Sequence, residues 1–523
     1  MFQRSIIFLL IIGCVACSPS VPVTDIVVVP TSTATETATI TPTATITPSP
    51  TITETPSNTP TATATATETA TYTPSPTPTI TPTPVNTPYP IPSIRFDNGA
   101  SVDIPTSLTV GTNYLVFINT NDTETITNLS TAEAPITRAT LYFASPTNPE
   151  SRIPILEYET RQIEQFYLSP TGNAIAYFLN DFQRGATGLY VLDVSIGLSG
   201  RIATMQTLTQ RNIFNPPVWS PDGRFLAVTL EAGYNLGIFL FDLQQSTWSA
   251  LVNDGSFNFH PAWSPDGRYL AFISDRATCP TWNPSSPNAC NPDIQPTPTS
   301  GQVYVLEFAT NIITKVSDAI VSETPYWVNS NLLAFSSGDT FDLLNPTRSL
   351  WIADMRDKQG REIRLADGGD KQLNLDEAWS PDGNLVIFQH AGTNNETIIM
   401  NQSGERVATL DSLSFVRFGL NASWSPDGTR LVISGKNGQC PYGVRVLETT
   451  NFTIVASGGN PGAVCDAVYS PNGSRIAFLG IRTTSTSADG RADVYSGTRD
   501  GFEVQSLTSD LRGQTRFIGW VGR

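Results

Sequence analysis

His260 and His390 are the only imidazoles in a chain of 523 residues, so a serine or cysteine nucleophile with a histidine base would depend on one of them. His260 directly precedes Pro261-Ala262-Trp263, and His390 ends an apolar run. No Gly-x-Ser-x-Gly elbow and no His-Glu-x-x-His pair accompanies either. Both therefore read first as structural or solvated groups, with ligand binding as a second reading. Asp254, Asp275, Asp376, Glu377 and Asp466 fall in expected loops. They could pair as acid and base for glycoside cleavage, where carboxyl separation decides the chemistry, or hold a cation through oxygen. No spacing among them matches a dedicated calcium loop, so solvated acidic loops are the plainer reading. Cys279, Cys290, Cys440 and Cys465 lack Cys-x-x-Cys spacing, and neither a metal site nor a cofactor is expected. The sequence predicts no catalytic residue.

What positions these residues is a repeat. Trp219-Ser220-Pro221-Asp222-Gly223 returns at Trp263 to Gly267, Trp379 to Gly383 and Trp424 to Gly428, with looser copies at Leu168 to Gly172 and Tyr469 to Gly473. Trp327 and Trp520 stand where further copies would begin. The eight starts are separated by 51, 44, 64, 52, 45, 45 and 51 residues, the range of propeller blades and solenoid units. Ser-Pro-Asp-Gly suits a type I turn: proline presets φ, aspartate tolerates the bridge region and glycine accepts positive φ. Asp222, Asp266, Asp382 and Asp427 thus read as turn residues. Alternating runs follow each turn, such as 268–273, 384–388 and 474–479, and each unit carries two further runs. Four short antiparallel strands per unit make one blade of an all-β propeller, with the Trp-bearing strand innermost.

The phrase Trp-Ser-Pro-Asp-Gly, followed by a Leu-Ala-Phe-like strand and once by Ser274-Asp275-Arg276, resembles the TolB-type β-propeller repeat. The same repeat occurs in propeller domains of prolyl-oligopeptidase-type peptidases. The resemblance covers roughly residues 110 to 523. It implies a propeller and makes a role in envelope organisation or complex assembly plausible, but propellers host unrelated functions. Upstream, 113–119, 139–144 and 153–158 read as second, third and fourth strands lacking a first; downstream, 516–521 reads as a first strand with no successors. Joining these ends closes a ring of eight blades and removes exposed edges. Seven blades is the alternative, because 93–165 is the least regular region.

On this plan the loops between second and third strands share a rim with the starts of the innermost strands. That rim would gather His260, Asp275, Trp282, Asp376, Glu377, His390 and Asp466, and it makes Cys279–Cys290 and Cys440–Cys465 reasonable disulfides in an exported chain. Trp282, inside the braced 279–290 loop, is either a contact element or packed on its own loop.

The N-terminus reads as an address and a tether. Arg4, the apolar run 6–12 and small residues before Cys14 or Cys17 resemble a bacterial lipoprotein signal over 1–17. Cys14 fits the stricter pattern, whereas Cys17 allows a longer apolar core. Residues 18–93 are almost only Thr, Pro, Ala, Ser and Ile, a composition that favours extended chain and cannot build a core. The propeller domain is expected over 94–523. With 30 basic against 46 acidic residues and a net charge of −16, a phosphate-tracking basic stripe is not supported, so nucleic acid is not an expected partner. The expectation is a monomeric, non-catalytic binding module, lipid-anchored at the cell surface and facing a protein, peptide or glycan. The alternative is an extracellular hydrolase using rim carboxylates.

Overall fold

The computed structural model describes residues 113–522 except 122–137, 160–162, 181–184, 205–207, 209–214, 341, 343–345, 369–371, 392–394, 437, 459–460 and 484–487. The leader and tether expected over 1–93 lie outside the described residues, as do Cys14 and Cys17. Every named element is a strand. Among the described residues no helix is long and apolar enough to cross a membrane.

Each repeat folds as one antiparallel sheet of four strands in chain order. The inner strands of the first seven sheets are Ile163–Leu168, Val218–Trp219, Asn258–Trp263, Tyr326–Trp327, Asn374–Trp379, Leu420–Trp424 and Ala463–Tyr469. The sixth and seventh sheets are also bridged by a parallel pair at Gly435 and Cys465. A closing sheet completes the series: its inner strand, Gln514–Val521, pairs with Tyr114–Asn121, which pairs with Arg138–Ser145 and then Asn148–Glu159. The described strands thus make eight four-stranded sheets, the last built from both ends of the described chain.

The repeated phrase forms its turn through the same bonds each time. Gly223 donates its N–H to the Ser220 carbonyl at 2.9 Å, and Gly267, Gly383, Gly428 and Gly473 do likewise with Ser264, Ser380, Ser425 and Ser470. The Ser220 hydroxyl accepts from Phe225 N–H at 2.9 Å and donates to Asp222, whose Oδ1 accepts from Arg224 N–H. The turn aspartates are therefore structural. Gly473 has φ +68°, and a Cβ there would approach Cδ of Pro426, the proline of the preceding turn, at 3.0 Å. Glycine answers both constraints.

Because strand residues alternate faces, each sheet feeds two cores. In the closing sheet Leu115 and Phe117 pack with Ala477, Val494 and Leu507 of the seventh sheet, while Val116 and Ile118 pack with Ile175 and Tyr177 of the first. The repeat tryptophans stitch neighbours together. The indole N–H of Trp219 donates to Tyr167 O at 2.9 Å, that of Trp327 to Ala262 O at 3.0 Å, that of Trp424 to Ala378 O at 3.0 Å and that of Trp520 to Val468 O at 3.4 Å. The series closes on itself: Gly522 N–H donates to Pro170 O at 3.1 Å, joining the closing sheet to the first turn.

Candidate functional site

Three inner strands carry the same irregularity three residues before the aromatic that opens the turn. His260, Asp376 and Asp466 have φ of 55°, 58° and 55°, and pairing with the second strand slips there in each sheet. This is a β-bulge, which re-aims a side chain that regular alternation would send into the core. The sequence placed these residues on one rim by strand order alone; the bulge is why they stand out from the sheet faces.

A polar network runs from sheet to sheet at this level. His260 N–H donates to Asn215 Oδ1 at 3.2 Å, and His260 Nδ1 lies 2.8 Å from the Thr324 hydroxyl. Burial lowers the His260 pKa, with Glu323 opposing, so the imidazole is biased toward neutrality. Glu323 pairs with Arg348 at 2.7 Å. Arg348, with 11 % of its side chain exposed, forks onto both Glu377 oxygens and donates to Asn374 O at 2.9 Å. Burial works against its charge, but Glu377 and Glu323 outweigh it and hold the guanidinium pKa above its ordinary value. Glu377 also accepts from Ser336 at 2.9 Å. His390 Nδ1 sits 2.8 Å from Asn374 Oδ1, and burial lowers its pKa too.

The network continues into the sixth and seventh sheets. Asp376 Oδ1 binds Lys436 Nζ at 2.5 Å and its Oδ2 accepts from Leu420 N–H at 3.2 Å. Burial raises the Asp466 pKa, and the nearby Lys436 charge partly opposes this. Cys465, beside Asp466, is bonded to Cys440 with Cα atoms 5.0 Å apart. His260, Asp376, Glu377, His390 and Asp466 thus share one end of the inner strands. Arg348, Glu323 and Lys436, which sequence reasoning did not single out, bind them together. For Arg348 and Lys436 the only local signal was a cation immediately flanking an apolar strand; Glu323 had none.

Asp275 and Trp282 form a separate cluster. Cys279 and Cys290 are bonded, with Cα atoms 5.9 Å apart. Trp282, the candidate contact aromatic, turns inward: it is 3 % exposed, lies edge-on to Phe257 at 5.1 Å and donates its indole N–H to Asp275 Oδ2 at 2.8 Å. It turns inward because Phe257, just ahead of the inner strand, offers an apolar wall and Asp275, at the start of the loop, a buried acceptor. Asp275 Oδ1 accepts from Phe257 N–H at 2.8 Å, and burial raises its pKa despite these two donors. Asp275 is therefore a loop anchor and not a surface ligand. Asp254 pairs with Arg276 at 3.0 Å. Among the described residues, no group of three His, Cys, Asp or Glu side chains is placed to hold a metal ion.

Among curated proteins nothing matches the sequence. Several solved structures follow a similar chain course at low identity. A eukaryotic initiation factor is 11 % identical, covering 72 % of this chain and 87 % of its own, with a TM-score of 0.46. Oligogalacturonate lyase from Vibrio parahaemolyticus is 14 % identical over 71 % and 95 %, with a TM-score of 0.38. TolB from Acinetobacter baumannii is 15 % identical over 73 % and 79 %, with a TM-score of 0.32. Residues 161–283 match the family model of the TolB beta propeller domain, a segment that holds two copies of the Trp-Ser-Pro-Asp-Gly phrase and the sheets around them. With that match set on sheets of four strands repeated to closure, this chain is a TolB-like β-propeller.

Proposed function

We propose that this propeller is a non-catalytic binding module, exported and lipid-anchored, that offers the bulged end of its inner strands to a protein, peptide or glycan at the cell surface. The observation that supports it is the commitment of the carboxylates there other than Asp466. Glu377 is held by Arg348 and Asp376 by Lys436, while Asp275 is spent on its own loop. A glycosidase needs one carboxyl free to give a proton and another free to attack or activate water. Paired groups instead form a fixed pattern of donors and acceptors, which suits recognition. The net charge of −16 directs the choice of partner away from nucleic acid.

The test is a pull-down from envelope extract and a glycan-array screen with the whole protein, beside Lys436→Ala and Asp466→Asn. Binding weakened at least about tenfold by these changes, with unchanged melting, supports the reading. Turnover of a bound glycan or peptide, lost on Asp376→Asn or Glu377→Gln, would replace it with the hydrolase.

A further inference from the structure

We infer that the seam between the seventh sheet and the closing sheet, at the turn end and away from the bulges, is a second binding site, one for a sugar carrying a carboxylate. A cavity of about 360 Å³ lies there, walled by Tyr114 and Trp520 of the closing sheet and by Ser470, Ser474 and Arg475 of the seventh turn. That volume is within the range of small-ligand sites.

Arg475 makes this seam unlike the other joints. In the repeat, the residue opening each second strand faces a fixed position on the third strand. That position is acidic in five sheets, Asp193 opposite Ala174, Asp242 opposite Phe225, Glu307 opposite Tyr269, Asp354 opposite Leu332 and Glu448 opposite Arg430, and it is Asn401 opposite Leu385 in the fifth. Opposite Arg475 it is Thr498. The neighbouring Arg430 is held by Asp500 at 2.7 Å, with Glu448 at 3.9 Å. Arg475 donates its Nε–H to Ser496 Oγ at 3.0 Å, and among the described residues no carboxylate pairs with it. The fifth sheet lacks the anion as well, but there the residue it would face is Leu385, whereas here a cation in a cavity wall is left without it. A guanidinium in that state offers two N–H groups in the fork geometry that suits a carboxylate.

The other walls give the ligand its remaining chemistry. Tyr114 and Trp520 are partly buried, supplying apolar surface for a ring, and the exposed Ser474 supplies a hydroxyl. A ring with hydroxyls and one carboxylate, of the uronic-acid class, uses all of these groups; a bare anion uses the guanidinium alone.

The site is independent of the binding reading at the bulged end, and the experiment keeps the two apart. D-glucuronate and D-galacturonate are titrated into the whole protein by ligand-observed NMR, with D-glucose and D-galactose as neutral controls. Uronates are expected to bind at least about tenfold more tightly than the neutral sugars, and Arg475→Gln to erase that difference. Lys436→Ala, at the other end, leaves uronate binding unchanged. If Arg475→Gln melts early, Arg475→Lys keeps the charge without the fork and is expected to recover only part of the preference. Absence of saturable uronate binding, equal binding of neutral sugars, or full binding by a folded Arg475→Gln protein overturns the proposal.

Discussion

Arg348 shows how one side chain can hold two neighbouring sheets in register. Two of its carboxylate partners come from the approach to one inner strand and from the next, so its removal leaves Glu377 buried without a counter-charge. Arg348→Met is expected to cost roughly 3–5 kcal/mol in denaturant unfolding, far more than loss of an exposed pair such as Arg356–Asp354. The histidines set a pH dependence. Burial lowers both folded pKa values, so the native state binds fewer protons than the unfolded chain, and stability falls as pH drops through the unfolded histidine value near 6.5. Asp275 and Asp466, raised by burial, act in the opposite sense: the stability tied to their protonated forms is lost as pH rises above the unfolded carboxylate range. A His260→Gln/His390→Gln protein should therefore flatten the decline between about pH 7 and 5, read as urea midpoints. An unchanged slope would mean that other groups carry it.

At the level of the sheet, the disulfides and the bulges work together. The Cys440–Cys465 bond encloses a loop of 25 residues that includes most of the span between Lys436 and Asp466. By loop-closure entropy its removal should cost about 3.5 kcal/mol, against about 3 kcal/mol for the 11-residue loop of Cys279–Cys290. Paired serine replacements compared by thermal melting check both values. The four-strand unit was legible from the turn phrase and the alternation behind it: the runs 268–273, 384–388 and 474–479 become the strands Tyr269–Ser274, Leu385–His390 and Arg475–Thr483. The bulges were not legible: Asp and His tolerate positive φ better than most residues, but the chain has many aspartates and nothing local marks His260, Asp376 and Asp466 as the ones that adopt it. Nor was the inward turn of Trp282, which depends on an acceptor seven residues earlier in the chain. Arg348 was hidden because its three binding groups come from segments 25 to 29 residues away.

For the whole propeller, the decisive joint is the sheet shared by the two ends of the described chain. Gln514–Val521 supplies its inner strand, its pairing to Tyr114–Asn121 and, just beyond it, the Gly522 link to the first turn. Deleting 513–523 strips Tyr114–Asn121 of its partner and uncovers Val116 and Phe117, both fully buried in the intact protein. The shortened chain is expected to lose cooperative unfolding and to be cut by protease within 114–159 before the second to sixth sheets. Resistance equal to that of the full chain would mean that the closing strand is dispensable. The same arrangement ties assembly to synthesis. The strand that completes the fold is synthesised about 400 residues after its partner, so Tyr114–Asn121 must wait without an inner neighbour while the intervening sheets are made. A chain halted before Gln514 carries every turn phrase yet has no latch.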